Sequence, residues 1–416
     1  MRTVEKNKGN LIITIYLLAI SIILSSCTGG REIQELGIVT SIGMDIEDDK
    51  VIVTCEVINT ASGNTQSGSS THSPKEVVFI QGEGTTVFEA IRDTTLIFDR
   101  KLFFSHINTL ILGEEFAKKG IAEFLDLVLR DDEPRENMYI LVAKGGKAYD
   151  IMGIKGDLSQ SAGNYLHDIL EDSRYNGKSL NITVAEYYRY YYEVSNEPVI
   201  GIVQKREKRV IDEERKKNEP TKSILDVGGG AVTKRDTLIG YFTPDEMFGY
   251  NFIVDYIKGG LIVFNTPKEL SENKPIIGSE GKFTVVEILK SKTKKNVTIT
   301  DGKIHLNINV KVRGALAEEN KAIDISNMEV IDVLERASSE EVKKLISKTL
   351  DKGQKEFQQD NFSIGELVHH KYPKVWKKIS KDWNNIFSEI TYNINVETEI
   401  VKTGIINVPS NLRKRR

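Results

Sequence analysis

The chain has 416 residues, 39% of them hydrophobic and 8% aromatic, a composition typical of folded domains rather than of a disordered polypeptide. This length allows two or three domains, each with its own core. The formal net charge of −3 provides no overall basic excess for nucleic-acid binding.

The first 26 residues have the organisation of a bacterial export signal. Basic residues precede an uncharged apolar run over Leu11–Leu24, which is shorter than the ~20 residues needed to span a bilayer. The run ends in Leu24-Ser25-Ser26-Cys27, which resembles the lipobox of bacterial lipoproteins. We therefore predict a signal peptide over residues 1–26, cleavage between Ser26 and Cys27, and acyl chains such as palmitate on Cys27. The alternative is an uncleaved N-terminal anchor in which Cys27 is incidental.

The next segment, residues 27–197, alternates strand and helix patterns. Ile38–Ile46 and Val51–Asn59 predict a hairpin that turns at residues 47–50, and Ala61–Pro74 has the composition of a flexible loop. Further strands are predicted at Val77–Gln81, Ile107–Leu112 and Met138–Ala143. Helices are predicted at Glu115–Arg130 and from Tyr149 to about Asn196. This alternation indicates an α/β or α+β N-terminal domain.

A densely charged segment, Lys205–Lys222, interrupts the pattern and predicts a solvated linker or an exposed hairpin arm. It lies within a predicted middle domain over residues 198–268. Strand-like stretches occur there around Ala231–Val232 and Leu238–Phe242, and Asp245–Tyr256 is expected to form a helix.

The remaining residues, 269–416, predict a sheet covered by helices. Ile304–Val312 and the last strand, over residues 390–400, alternate apolar and polar side chains, which is typical of an antiparallel sheet with one buried face. Ser338 and Glu341 form a capping-box pattern that predicts the start of a helix. The fold class expected is α+β (mixed α/β), with three domains and a C-terminal antiparallel sheet packed by helices.

Patterns that would support catalysis are weak. Gly228-Gly229-Gly230 leads into a strand rather than the helix that a phosphate-binding loop needs, so a tight turn or bulge is favoured. Besides Cys27 there is only Cys55, which excludes an intramolecular disulfide. The histidines are dispersed, and the adjacent pair His369-His370 lacks metal-ligand spacing. We therefore predict no catalytic, metal or cofactor site and no enzyme activity.

Two other features suggest contacts rather than chemistry. The cluster Tyr187–Tyr192 would surround the axis of a helix, so its rings cannot all enter one core. It is either an interdomain contact or a partner-facing patch that uses Tyr187, Tyr188 and Tyr191. The basic tail Arg413–Arg416 is either solvated or close to anionic lipid.

Several sequence blocks together resemble the Ger(x)C spore germination lipoproteins, the C subunits of nutrient germinant receptors. Thr28-Gly29-Gly30 departs from the family, which usually has Trp-Asp just after the lipid cysteine. The matching blocks are Arg31–Val39, Ile42–Asp45, Ile111–Gly120, Leu129–Asp131, Gly228–Val232, Leu238–Gly240, Gln354–Asp360 with Gly365, Tyr372-Pro373, Trp376 and Trp383, and Lys402–Gly404.

The resemblance implies a three-domain lipoprotein on the outer face of the inner spore membrane. It would act with two integral membrane subunits to convert a nutrient signal into germination, without a catalytic residue or a cofactor. An alternative is a solute-binding lipoprotein of a transporter, which usually has two lobes of regular βα repeats. An envelope hydrolase is a third class, but the sequence shows no nucleophile or metal signature for it.

Overall fold

A computed structural model of the chain describes residues 15–16, 35–58, 77–130, 133, 135–154, 161–195, 197–207, 223–270, 283–319, 325 and 327–402. The predicted lipobox, the predicted loop over Ala61–Pro74, most of the charged segment Lys205–Lys222 and the tail Arg413–Arg416 lie outside these residues.

The described strands form two sheets of different size. The larger sheet contains Leu36–Glu47 (β1), Lys50–Ile58 (β2), Val77–Gly84 (β3), Lys101–Phe103 (β4), Thr109–Gly113 (β5), Tyr139–Ala143 (β6), Val199–Glu207 (β7), Ser223–Asp226 (β8), Gly230–Lys234 (β9) and Thr237–Phe242 (β10). The smaller sheet contains Leu261–Asn265 (β11), Phe283–Thr300 (β12), Lys303–Glu319 (β13) and Thr391–Lys402 (β14).

The helices pack against these sheets. They are Val87–Asp93 (α1), Glu114–Lys119 (α2), Ala122–Arg130 (α3), Ala148–Met152 (α4), Ala162–Ser173 (α5), Val184–Tyr191 (α6), Pro244–Ile253 (α7), Met328–Lys352 (α8), Ile364–Lys371 (α9), Pro373–Ile379 (α10) and Trp383–Glu389 (α11). A single helix was expected over Glu115–Arg130. It is instead divided into α2 and α3, because Gly120 has a φ of 133° that breaks the helix.

The larger sheet is mixed, with its main strands in the order β10-β9-β7-β6-β5-β1-β2-β3. β1 and β2 form the predicted hairpin, and Asp48 and Asp49 both have positive φ in its two-residue turn. β1, β5, β6 and β7 are parallel neighbours. Every residue of β5 and β6 is buried, as expected for strands covered on both faces.

The strands predicted for a separate middle domain extend this larger sheet instead. β7 pairs with β6 of the N-terminal region, and β9 and β10 continue the sheet from β7. β7 therefore shares backbone hydrogen bonds with the predicted N-terminal domain, and β8, β9 and β10 are joined to it through β7, while β11 joins the C-terminal sheet.

The smaller sheet differs from the predicted antiparallel arrangement in one strand pair. β11, β12 and β13 are antiparallel neighbours, but β14 pairs with β13 in parallel. The chain between β13 and β14 forms α8 to α11, and a crossover of this kind is what parallel pairing requires.

Helix α8 covers the inner face of the smaller sheet. It begins at Met328, where the Asn327 side chain accepts a hydrogen bond from the Glu329 amide. The predicted helix start at Ser338 is therefore wrong. Ser338 is completely buried in the middle of α8, so its side chain serves packing rather than capping. Leu334, Val342 and Ile346 of the same helix enter the core.

Candidate functional site: the junction between the two halves

The structure describes only some of the residues singled out by the sequence. Ser26 and Cys27 lie outside the described residues. Gly228-Gly229-Gly230 leads into β9 and has the positive φ that was predicted: φ of Gly229 is 117°, its amide donates to the Lys178 carbonyl at 2.9 Å, and Gly230 begins β9.

The aromatic cluster is distributed around α6, as the sequence predicted, but two of its proposed contact residues are inaccessible. Thr183 and Glu186 form a capping box at the start of the helix. Tyr187 is completely buried and Tyr188 is 7% exposed, so the prediction that these two contact a partner is corrected to a packing role. Desolvation raises the pKa of both hydroxyls.

The other side of α6 remains accessible. Tyr191 is half-buried, and its ring stacks on Tyr187 with centroids 6.1 Å apart. Tyr192, which directly follows the helix, is 68% exposed. Contact with a partner through Tyr191 stays a prediction, and Tyr192 is the tyrosine of the cluster with the largest exposed fraction.

A buried carboxylate, Asp360, organises the segment that enters α9. Its Oδ1 accepts from the amides of Phe362 and Ile364, each at 3.1 Å. Its Oδ2 accepts from the Gly365 amide at 2.6 Å and from Trp383 Nε1 at 2.9 Å. Desolvation raises the pKa of Asp360 overall, while these four donated hydrogen bonds oppose the rise. Asp360 thereby fixes a loop and an aromatic side chain from α11 together.

A lysine of the smaller sheet reaches the same segment. Lys295 Nζ donates to the Phe362 carbonyl at 2.6 Å. Burial lowers its pKa to about 8, although the negative charge of Asp360 opposes this shift. The sheet, the loop and α11 are thus connected through the buried Asp360 and the half-buried Lys295.

The residue after Asp360 connects the loop to the larger sheet. Asn361 Nδ2 donates to the carbonyls of Glu197 at 2.7 Å and Thr233 at 3.3 Å. In return, the Glu197 amide donates to the Asp360 carbonyl at 3.1 Å. These bonds join the larger sheet, through the segment before β7 and the strand β9, directly to the C-terminal half, by which we mean the smaller sheet with α8 to α11.

A second connection lies at the end of α8. Lys352 Nζ donates to the Tyr241 carbonyl and to Glu246 Oε2, both at 2.9 Å. Burial alone would raise the pKa of Glu246, but the Thr243 amide and Lys352 reverse this effect and lower it. The ring of Phe357 also packs against Gly240, where a Cβ atom would lie 2.6 Å from the ring.

These contacts define the junction, by which we mean the segment Gly353–Gly365, made of a π-helical turn over Gly353–Phe357 and the loop that leads into α9, with the parts of α8, α11, β9 and β10 that contact it. Beside it lies an open polar cleft of about 770 Å³, lined by residues of both halves, including Ser195, Lys234, Asp236 and Asn384. The junction contains buried hydrogen bonds and ion pairs, which hold the two halves in a fixed relation.

Other buried ionisable groups have structural explanations. Glu56 accepts from the amides of Ala162 and Gly163 at the start of α5, at 2.6 and 2.8 Å. Asp45 accepts from Ala148 and Tyr149 at the start of α4. Both carboxylates therefore serve as helix caps.

Neither a metal-binding cluster nor a membrane-spanning helix occurs within the described residues. No three His, Cys, Asp or Glu side chains cluster there as ligands for a metal ion. None of the helices described is both long and apolar enough to cross a bilayer. Burial raises the pKa of the Cys55 thiol to about 12, so it remains protonated at neutral pH.

Sequence reasoning did not assign a role to Asp360, Asn361 or Lys295. Asp360, Gly365 and Trp383 occur among the blocks that carry the family resemblance. The available signal was a lone acid placed just before the apolar residues Phe362 and Ile364. Its hydrogen-bond partners could not be identified from this local pattern alone.

The fold is similar to a solved structure, the crystal structure of the GerBC protein. The TM-score is 0.50 at 20% sequence identity, and the similarity covers 89% of this chain and 100% of that chain. The architecture of two sheets with an attached helical segment therefore occurs in a known protein.

Sequence comparisons identify the family. Residues 29–205 match the family described as spore germination protein N-terminal domain, and residues 228–404 match spore germination B3/GerAC like, C-terminal. The interval between the two matches contains most of the charged segment Lys205–Lys222. The chain thus belongs to the Ger(x)C family of spore germination proteins and has a role in spore germination.

Individual relatives match over nearly their entire length. Spore germination protein KC of Bacillus subtilis is 25% identical over 409 residues, covering 96% of this chain and 97% of the relative. Spore germination protein B3 of the same organism is 25% identical over 391 residues, covering 92% and 95%.

Proposed function

We propose that this chain is a lipid-anchored subunit of a nutrient germinant receptor in the spore membrane, and that it acts through protein contacts rather than catalytic turnover. The observation that carries the proposal is the match of both halves to spore germination families. The lipobox pattern that ends at Cys27 supports the anchor. Its position is the outer face of the inner spore membrane, beside two integral membrane subunits.

The junction supports a role in which the binding of a partner to one half affects the other half. Buried polar networks tolerate few alternative geometries, because each displaced donor or acceptor loses its partner in a place that water does not reach. The side chains of Asn361 and Lys352 and the backbone carbonyl of Asp360, which accepts from the Glu197 amide, connect the halves in this way. Binding of a partner to one half is therefore expected to affect the position of the other.

Purification of this chain from spore membranes tests the proposal. We expect two integral membrane proteins to co-purify with it and Cys27 to carry diacylglycerol in a mass spectrum. Replacement Cys27→Ala should release the chain from the membrane fraction and reduce nutrient-triggered germination. Cys55→Ala is the matched control, because it removes the other cysteine, whose buried thiol has no part in anchoring.

Two results would contradict the proposal. An unmodified mature Cys27 would exclude the lipid anchor. Specific nutrient binding by the isolated chain, without co-purifying membrane proteins, would favour a solute-binding lipoprotein instead.

A further inference from the structure

The turn that precedes β4 carries two adjacent apolar side chains that are largely exposed to solvent. Leu96 is 81% exposed, the largest value for a big hydrophobic residue in the described part of the chain, and Ile97 is 64% exposed. Single exposed leucines are common on protein surfaces and need no explanation. Two consecutive exposed apolar residues, Leu96 and Ile97, on one ordered turn form a larger apolar surface.

Local hydrogen bonds hold this turn in shape. The amides of Ile97 and Phe98 donate to the Thr94 carbonyl at 3.3 and 3.1 Å. Thr95 Oγ1 donates to the Arg92 carbonyl at 2.7 Å. We name residues Thr94–Phe98 the apolar turn. Because its backbone is already bonded, exposure of Leu96 and Ile97 follows from the turn's conformation.

The apolar turn lies at the end of the larger sheet where β1 begins. β4 runs parallel to β1, with Lys101 beside Leu36, so the residues that precede both strands are at the same end. Phe98 confirms this placement, because its ring fills the space beside Gly37 of β1. A Cβ atom added to Gly37 would lie only 2.5 Å from that ring.

The position of β1 relates the apolar turn to the proposed anchor. Eight residues separate Cys27 from Leu36. At ~3.3–3.6 Å per residue, even a fully extended connection reaches only about 30 Å. A lipidated Cys27 would therefore hold this end of the sheet close to the bilayer and give the apolar turn a high effective concentration at its surface.

Neighbouring side chains suit the boundary between headgroups and acyl chains. Phe88 of α1 is 47% exposed, and the Arg92 guanidinium lies 5.1 Å from its ring centroid. Lys101, which pairs with Glu133 at 3.2 Å, is also exposed and lines the same pocket as Phe88 and Arg92. Long cationic side chains can keep their charges in water while their apolar stems, like the ring of Phe88, contact lipid.

We propose that the apolar turn is a membrane-docking element that inserts Leu96 and Ile97 into the lipid surface next to the anchor. The proposal rests on the proposed function for the presence of the anchor. It adds a second contact, which fixes how the protein is oriented on the bilayer. The occupant of this surface is lipid, since the short tether brings the bilayer to it.

The test places a fluorescent probe on the lipidated chain in vesicles. Leu96→Cys is labelled with an environment-sensitive maleimide, because Cys27 is acylated and Cys55 is buried. The matched control is Met328→Cys at the start of α8, a site that is 71% exposed in the C-terminal half. Vesicles contain phosphatidylcholine with or without phosphatidylglycerol, and a fraction of the lipids carry a quencher on the acyl chain.

We expect blue-shifted emission and quenching for the probe at position 96 but not at position 328. In a second measurement on unlabelled lipidated chain, Leu96→Ser and Ile97→Ser should each speed transfer between vesicles about tenfold, or about 1.4 kcal/mol each. Met328→Ser should leave the transfer rate unchanged.

The possible failures are distinguishable. A chain that does not float with vesicles contradicts the lipid anchor and thus the proposed function. A chain that floats, with an unquenched probe at position 96, overturns only the docking proposal. A blue shift at position 96 that is insensitive to the lipid quencher also overturns it, and assigns the turn to a protein contact.

Discussion

Replacement of Asp360 tests whether the junction is held by the buried carboxylate. Asp360→Ala removes the acceptor of four hydrogen bonds and leaves the amides of Phe362, Ile364 and Gly365, with Trp383 Nε1, without a partner. Each buried donor left unsatisfied costs about 1–3 kcal/mol. The raised pKa shows that the buried charge is itself unfavourable, which reduces the net loss. We expect a loss of about 4 kcal/mol in the free energy of unfolding.

Asp360→Asn gives an intermediate result for a specific reason. The amide oxygen can still accept from two donors, but the amide nitrogen faces two others. We expect a loss of about 2 kcal/mol for this variant. Asp382→Asn is the matched control, because Asp382 is an exposed acid next to Trp383 and should change stability by less than about 0.5 kcal/mol.

Urea unfolding followed by tryptophan fluorescence is the appropriate assay. The chain has two tryptophans, Trp376 and Trp383, and their rings pack against each other with centroids 5.1 Å apart beside the junction. Their emission therefore reports on the region that the substitution disturbs. An Asp360→Ala variant within about 1 kcal/mol of the unsubstituted chain would refute the assignment, since unsatisfied buried donors cost more than that.

Three other predictions use the same unfolding measurement. Tyr187→Ala should lose about 3–5 kcal/mol, as expected for a buried aromatic ring, whereas Tyr192→Ala should be close to neutral; equal effects would contradict the burial described. Lys295 has a folded-state pKa of about 8, below its unfolded value of about 10.4, so the unfolded chain binds more protons between these two pH values. The free energy of unfolding should therefore rise from pH 8 to about 10.4, by up to about 3 kcal/mol. Lys295→Met should abolish that part of the pH dependence, and an unchanged profile would contradict the shift. Thr183→Ala should lose about 1 kcal/mol by removing the cap of α6, while Thr183→Ser should retain it; equal losses would argue against the capping role.

Strands were more predictable than helix boundaries for a physical reason. The hairpin of β1 and β2 and the alternation in β13 follow from a two-residue period that one buried face imposes. Helix ends depend on single residues, and several patterns compete for them. Ser338 has a capping sequence, but the core-facing residues on both sides of it favour an uninterrupted α8.

The direction of β14 was not accessible from its sequence. Alternation indicates which side chains are buried but is the same for a parallel and an antiparallel strand. The intervening helices determine the direction, because they return the chain to the same end of the sheet.

The junction could be predicted only in part, because its bonds join residues distant in the chain. Asp360 lies 65 residues after Lys295, and Asn361 contacts the Glu197 carbonyl, 164 residues away. The Tyr cluster was recognisable from composition, but a helix places successive residues about 100° apart, so neighbours in sequence differ in burial. Tyr187 and Tyr192 therefore have opposite environments within one short segment.

The geometry relates the junction to the proposed membrane contact. β1 lies near the middle of the larger sheet, and the apolar turn is at the end where β1 starts, whereas the C-terminal half is joined through β9 and β10 at one edge. If two contacts, the anchor and the apolar turn, orient the sheet on the bilayer, the junction transfers that orientation to the smaller sheet. Weakening the junction through Asp360 should then reduce germination even in chains that remain anchored. Loss of the apolar turn should instead leave the two halves joined but poorly oriented. Comparing Asp360→Asn with Leu96→Ser in spores separates these effects, because only the first should lower the free energy of unfolding.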